Sequence, residues 1–215
     1  MTPGGDPLYP DAKLEVIVRV LETERIPYAV GGAISLLYWG EPRATADIDI
    51  NVFLPASAVH RVSRALVQAE IPLDADRVAK EVAATGQGRF DFHGTPVDLF
   101  FSNLPFHDSC STRAVRVPFG DITMNVLSAE DLVVCKAMFD RPKDWLDVEQ
   151  VLYTRGTAFD SEYVRRWISE MLGADSERLQ RFDTLVAAAS APGMQASIIE
   201  GLSTSVDDCE DDPAW

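Results

Sequence analysis

Histidine and cysteine are scarce in this chain, with three of each among 215 residues. Cys110, Cys135 and Cys209 are odd in number and scattered, with no C-x-x-C pair. That pattern excludes a disulfide framework and a structural zinc site of the usual spacing, and it suits a reducing, cytoplasmic compartment. The histidines are equally dispersed. Long apolar runs are missing too: none approaches the roughly 18 residues that a membrane-spanning helix needs, so no membrane role is expected. The opening residues MTPGGDPLYP carry neither the basic nor the apolar stretch of a secretory signal. Basic residues are few, 19 Lys and Arg against 34 Asp and Glu, for a formal charge of −15. Discounting the five acids of the tail, Asp207, Asp208, Glu210, Asp211 and Asp212, still leaves about −10, so the acidity belongs to the folded body as well. Generic nucleic-acid binding rests on neutralising phosphates with Lys and Arg, and this composition argues against a large footprint of that kind.

What is present is an α+β pattern that becomes wholly helical. Leu14, Ile17, Val18 and Leu21 recur at helical spacing over residues 11–25,. Tyr28-Ala29-Val30 reads as a short buried strand running into Gly31-Gly32, and residues 33–39 as a second helix,. Residues 47–54, DIDINVFL, alternate with strand period,. A helix over about 56–70, a polar stretch, and two hairpins follow, 89–93 with 96–101 and 114–118 with 122–126. From Ser128 the chain predicts helices over 130–140, 143–154, 161–172 and 176–190, with Ser128 and Asp131 as a capping box, then a weak final helix and the tail,. The expected organisation is an α+β core over 1–127, a helical part over 128–203 and a disordered acidic tail over 204–215.

One constellation carries chemistry. Asp47 and Asp49 lie two apart on a strand and therefore share a face,. Like charges that close repel unless a cation lies between them. Carboxylates so placed, just after a Gly-Gly turn and a helix, suit metal-dependent phosphoryl transfer, in which divalent ions about 3.5–4 Å apart clamp the attacking and leaving oxygens. Gly31 and Gly32 at a helix start would let backbone N–H groups approach phosphate closely,. Asp98, a charge inside the apolar strand PVDLFF, is the candidate third carboxylate,. An isolated Asp-x-Asp is more often a solvated strand edge, and Gly-Gly is more often only a tight turn. It is their order along the chain that makes the site.

The segment YAVGGAISLLYWGEPRATADIDINV resembles the signature of the DNA polymerase β-type nucleotidyltransferase superfamily, Gly-Gly followed by Asp-x-Asp. The portion Arg43 to Asp49 is especially similar to the AbiEii/AbiGii-type toxin branch, which includes the MenT toxins. SAEDLVVCKAMFDRPKDWLDVEQVL resembles the same branch, a helix with a central Lys followed by Arg, Lys-Asp and a further Asp. The resemblance implies a small mixed sheet with flanking helices plus a C-terminal helical part. It implies Mg²⁺ (or Mn²⁺) at Asp47, Asp49 and Asp98, with a nucleoside triphosphate as donor substrate. Lys136 would contact the triphosphate with Asp144 or Asp147 nearby, and the 3′ end of tRNA would be the acceptor in a toxin neutralised by a cognate antitoxin. One departure is Gly32, where a serine is frequent in the superfamily.

Read from the residues alone, Lys136 is one of four lysines and sits mid-helix among apolar neighbours. It reads as a cation facing the site or, equally, as a snorkelling surface lysine, and an ion pair with Asp144 and Asp147, three apart on the next helix, is also open. Arg43 would meet phosphate or pair with Asp47, the former being favoured, and Thr45 would be structural. Arg141, Lys143, Arg165, Arg166, Arg178 and Arg181 are the basic residues available to an RNA acceptor, each more often part of a solvated helical face. The other acceptors consistent with these motifs are a small molecule of the antibiotic type and a protein hydroxyl. A catalytically silent binding module is the reading from another class, and three retained, mutually repelling carboxylates argue against it. A basic groove beside the metal site would favour RNA, and an apolar pocket lined by the later helices would favour a small molecule.

Overall fold

The computed structural model describes residues 10–190; the expected final helix and acidic tail lie outside them. Helix α1 (Pro10–Thr23) opens with proline at its first position, where a missing N–H is no loss, and buries Leu14, Ile17, Val18 and Leu21,. Strand β1 (Tyr28–Val30), buried throughout, leads through Gly31 into α2 (Gly32–Trp39). Strand β2 (Ile48–Pro55) is followed by α3 (Val59–Gln68), α4 (Ala75–Thr85), β3 (Gln87–Phe92) and β4 (Thr95–Ser102). After α5 (Pro105–Arg113) come β5 (Val115–Phe119) and β6 (Ile122–Val126), and then α6 (Ala129–Phe139), α7 (Pro142–Arg155), α8 (Ser161–Leu172) and α9 (Glu177–Ala189).

The six strands form one mixed sheet in the order β3-β4-β2-β1-β6-β5. Both hairpins expected from the sequence are there, β3 with β4 and β5 with β6. The central pairings cross long stretches of chain: β2 runs parallel to β4, and β1 is antiparallel to β2 and parallel to β6. The alternation of β2 and β4 sorts the two faces of the sheet. Ile48, Ile50 and Val52 with Val97, Leu99 and Phe101 join α1, α3 and α4 in one buried cluster,. The opposite side chains, Asp49 and Asn51 with Asp98 and Phe100, are left for the other face.

A second apolar cluster lies under α6 to α9 and draws Ala29, Leu36, Phe106, Cys110 and Leu127 from before residue 128. Helix α6 is buried nearly all round, Glu130, Asp131 and Lys136 included. Its start is capped as expected: the Ser128 hydroxyl accepts the Asp131 N–H at 3.1 Å and donates to the Asp131 carboxylate at 2.7 Å.

Two helices replace stretches without an expected element. Helix α4 occupies the polar stretch, capped by the Asp74 side chain and closed by Gly86 in the left-handed conformation, yet it buries only Val78 and Val82. Helix α5 likewise buries only Phe106 and Cys110. One apolar pair at i, i+4 is too weak a period to stand out in a sequence.

Candidate functional site

Strand pairing assembles the acidic group. Asp49 on β2 lies directly opposite Asp98 on the parallel strand β4, and Asp47 precedes β2 by one residue. Asp98 is buried, whereas the Asp47 side chain is 44% exposed. On the outer strand, β3 places Arg89 opposite Asp98. The Arg89 guanidinium reaches both neighbours, 3.5 Å from Asp47 and 3.6 Å from Asp98. The Gln87 amide donates to Asp98 at 3.2 Å.

Asp49 is different. Among the described residues no cation pairs with its carboxylate and no side chain donates to it. Burial, then the charges of Asp98 and Asp47, push its pKa up to about 6, against the opposing pull of Lys136 and Arg141. Asp98 is also raised, by burial first, with Gln87 and Arg89 opposing.

The Gly-Gly turn packs against Asp49. Gly31 donates its N–H to the Asp49 carbonyl at 2.9 Å, so that group is held in the sheet and is not free for an anion. Gly32 has φ +57°, and a β-carbon there would lie 1.8 Å from Asp49 Oδ2. The N–H groups that α2 leaves without helical acceptors therefore begin at Gly32,. Thr45 is structural as expected, its hydroxyl accepting the Asp47 N–H at 3.2 Å and donating to the Asp47 carbonyl at 3.3 Å.

Beside the acids runs a chain of alternating charge. Arg43 holds Asp147 with two bonds of 2.9 Å. Lys136 lies 2.5 Å from Asp147 and 3.8 Å from Asp144. Arg141 grips Asp144 at 2.6 and 3.1 Å. Three cations thus face two carboxylates, leaving one positive charge in surplus. Burial tends to raise the Asp147 carboxyl, but the bonds from Arg43 and Lys136 outweigh it and hold the group below the usual range. Lys136 is buried, so it is the ion-pair partner and not a snorkelling surface lysine. Arg43 pairs with Asp147 and not with Asp47, whose cation is Arg89. Arg89 and Gln87 were not expected at the site: strands over 89–93 and 96–101 would set Asp91 against Asp98, and the observed turn at His93-Gly94 brings Arg89 there instead.

A cavity of about 370 Å³ opens between the acidic group and α6. Gly32, Asp49, Lys136 and Arg141 line one end, and Phe100, Leu104, Leu132, Met138 and Phe139 line much of the rest. Leu104 and Phe139 are large apolar residues that stay about half exposed at its edge.

Five of the six basic residues considered for RNA are already held by acids or aromatic rings. Arg165 pairs with Asp183 and Glu162, Arg178 with Asp140, and Arg141 with Asp144. Arg166 reaches Glu170 and lies over Tyr163 and Trp167, and Arg181 lies over Trp145. Lys143 alone of the six has no ion pair or ring contact among the described residues.

Whether a divalent cation fits turns on Asp49. As the side chains stand, no group of three His, Cys, Asp or Glu among the described residues converges closely enough to hold a metal ion. The acids nonetheless share one face, and Asp49 is an unpaired carboxylate raised partly by its like-charged neighbours, a strain that a cation relieves,. The residue types therefore suit a cation, on condition that the three carboxylates turn toward one another and the exposed Arg89 side chain moves off Asp47 and Asp98. No helix among the described residues is long and apolar enough to cross a membrane.

No family model matches the chain, and no curated protein does. Among solved structures it is similar to the antibiotic-resistance factor ANT(2'')-Ia, at 12% identity and TM-score 0.45 over 89% of this chain and 94% of that one. An antigenic nucleotidyltransferase-like protein from Paracoccidioides brasiliensis is similar at 15% identity and TM-score 0.44, over 83% of this chain and 95% of that one. A nucleotidyltransferase candidate from H. pylori is similar at 14% identity and TM-score 0.45, over 89% and 95% of the two chains.

Proposed function

We propose that this protein is a divalent-metal-dependent nucleotidyltransferase that moves a nucleotide from a nucleoside triphosphate to a hydroxyl. The observation that carries the reading is the register of Asp49 against Asp98, with Asp47 beside them, the Gly32 turn against Asp49 and a net-positive cluster that shares their end of the cavity. Asp47, Asp49 and Asp98 would hold Mg²⁺ or Mn²⁺. When bound, the ion supplies charge to the triphosphate and makes the attacking hydroxyl more acidic.

The chain's own residues do the rest. Gly32 presents its N–H at the start of α2, where the helix dipole favours phosphate. Lys136 brings the surplus charge of its cluster to the triphosphate oxygens, held in place by Asp147 and Asp144. Asp98 accepts the proton of the attacking hydroxyl, and its raised pKa suits a base,. The new bond joins that oxygen to the α-phosphorus, and the bond from the α-phosphorus to the bridging oxygen breaks, releasing pyrophosphate.

For the acceptor, the AbiEii/AbiGii resemblance favours the 3′ end of tRNA, with a toxin role and a cognate antitoxin. The paired state of Arg165, Arg178 and Arg141 leaves few free cations for such a contact, which favours a small footprint at the terminal nucleotide. A second reading, transfer to a small hydroxyl compound, is favoured by the apolar part of the cavity around Phe100 and Phe139.

The deciding experiment incubates the protein and Mg²⁺ with each labelled nucleoside triphosphate, separately with total tRNA, protein extract and a panel of hydroxylated small molecules. Label on tRNA that disappears in Asp49→Ala supports the first acceptor, and a small-molecule adduct supports the second. Label reaching an acceptor undiminished in Asp49→Ala refutes the assignment of the site.

A further inference from the structure

Arg89 stands where the acidic group is most in need of a cation. Strand β3 alternates Gln87, Arg89 and Asp91 on one face, and its hairpin register sets Arg89 across from Asp98. From there the guanidinium spans Asp98 and Asp47, leaving Asp49 as the one acid of the three without an ion pair among the described residues. The contacts are long, 3.5 and 3.6 Å, and the side chain is 55% exposed. Among the described residues its guanidinium is not stacked on a ring and forms no hydrogen bond shorter than these contacts. Such a cation neutralises the acids without being fixed to them. Gln87 behaves differently, since its amide hydrogen-bonds Asp98 and orients that carboxylate whether or not the arginine is present.

We propose that Arg89 is a displaceable counter-ion, a positioning residue that competes with divalent metal at Asp47 and Asp98 while no nucleotide is bound. Bound triphosphate adds several negative charges to the site, which favours the metal and offers the guanidinium another anion within its reach. Metal binding thereby becomes conditional on nucleotide. The inference rests on the metal-dependent reading above.

Mn²⁺ binding, followed by electron paramagnetic resonance on the full chain without nucleotide, tests it. Arg89→Ala should bind Mn²⁺ about ten times more tightly than the unaltered protein, with Arg89→Lys in between. With a non-hydrolysable nucleoside triphosphate present, that advantage should vanish or reverse. Arg64→Ala, which removes an equal charge on α3 outside the site, should leave both affinities unchanged. Equal Mn²⁺ affinity in Arg89→Ala and the unaltered protein would overturn the competition while leaving the metal site standing. An equal gain in Arg64→Ala would reduce the effect to net charge and overturn it as well. No Mn²⁺ binding by any variant, with or without nucleotide, would sink both this inference and the reading it rests on. Circular dichroism checks that each variant is folded.

Discussion

The Asp49 carboxylate fills the space that a side chain on Gly32 would occupy, its Oδ2 lying 1.8 Å from the position of a β-carbon there. Glycine is required twice over, because residue 32 also has φ +57°, a conformation that costs other residues about 1 kcal/mol or more. The serine frequent at this place in the superfamily that the sequence resembles is therefore not interchangeable here. Gly32→Ser should destabilise the protein by about 1–3 kcal/mol in urea titration and should abolish nucleotide transfer. Normal stability with normal activity would show that Asp49 can leave this position freely.

Asp49 also makes stability depend on pH. Its folded pKa, about 6, lies above the unfolded value of about 3.9, so folding favours the protonated form. The metal-free protein should lose stability as pH rises from about 4 to about 6, with the full penalty present above that window. Asp49→Asn removes the penalty. It should stabilise the metal-free protein at pH 7.5 by on the order of 2 kcal/mol and have little effect at pH 4. Thermal melts of the two proteins at both values check this, and equal differences at the two pH values would contradict it.

Metal affinity should follow the same group from the other side. Binding requires the Asp49 carboxylate ionised, so apparent Mn²⁺ affinity should climb about tenfold per pH unit below about 6 and level off above it,. A titration series from pH 5 to pH 8 in chelator-free buffer reads this directly. An affinity flat across the series would remove Asp49 from the ligand set.

Lys136 has two roles that substitution can separate. Lys136→Ala leaves Asp144 and Asp147 with Arg141 and Arg43 alone and should lower stability by about 1–3 kcal/mol, while raising the KM for nucleotide. Adding Asp147→Asn restores the cluster's surplus of one positive charge, with Arg43 and Arg141 facing Asp144 alone, and should recover part of the stability but none of the nucleotide affinity. If the double variant regained both, Lys136 would be a structural ion-pair partner only.

Much of this site was legible along the chain because its logic is local. The two-residue spacing of Asp47 and Asp49, the lone charge of Asp98 in an apolar strand and the apolar surroundings of Lys136 are all short-range patterns. Arg89 was not legible, since the expected strands 89–93 and 96–101 would set Asp91 against Asp98, and a turn one residue earlier, at His93-Gly94, is what brings Arg89 there. Helices α4 and α5 were not legible, because each buries a single apolar pair and their polarity imitates a loop.

The sequence by itself determined the α+β order, the two hairpins, the helical second half and the strand face that carries the acids, since backbone periodicity sets each of them within a few residues. Only the tertiary structure decided which charges meet. Arg43 finds Asp147 across 104 positions, and Asp49 finds Asp98 through a crossover that inserts β4 beside β2. Those pairings depend on how the sheet packs its two apolar clusters, and no local pattern encodes that register.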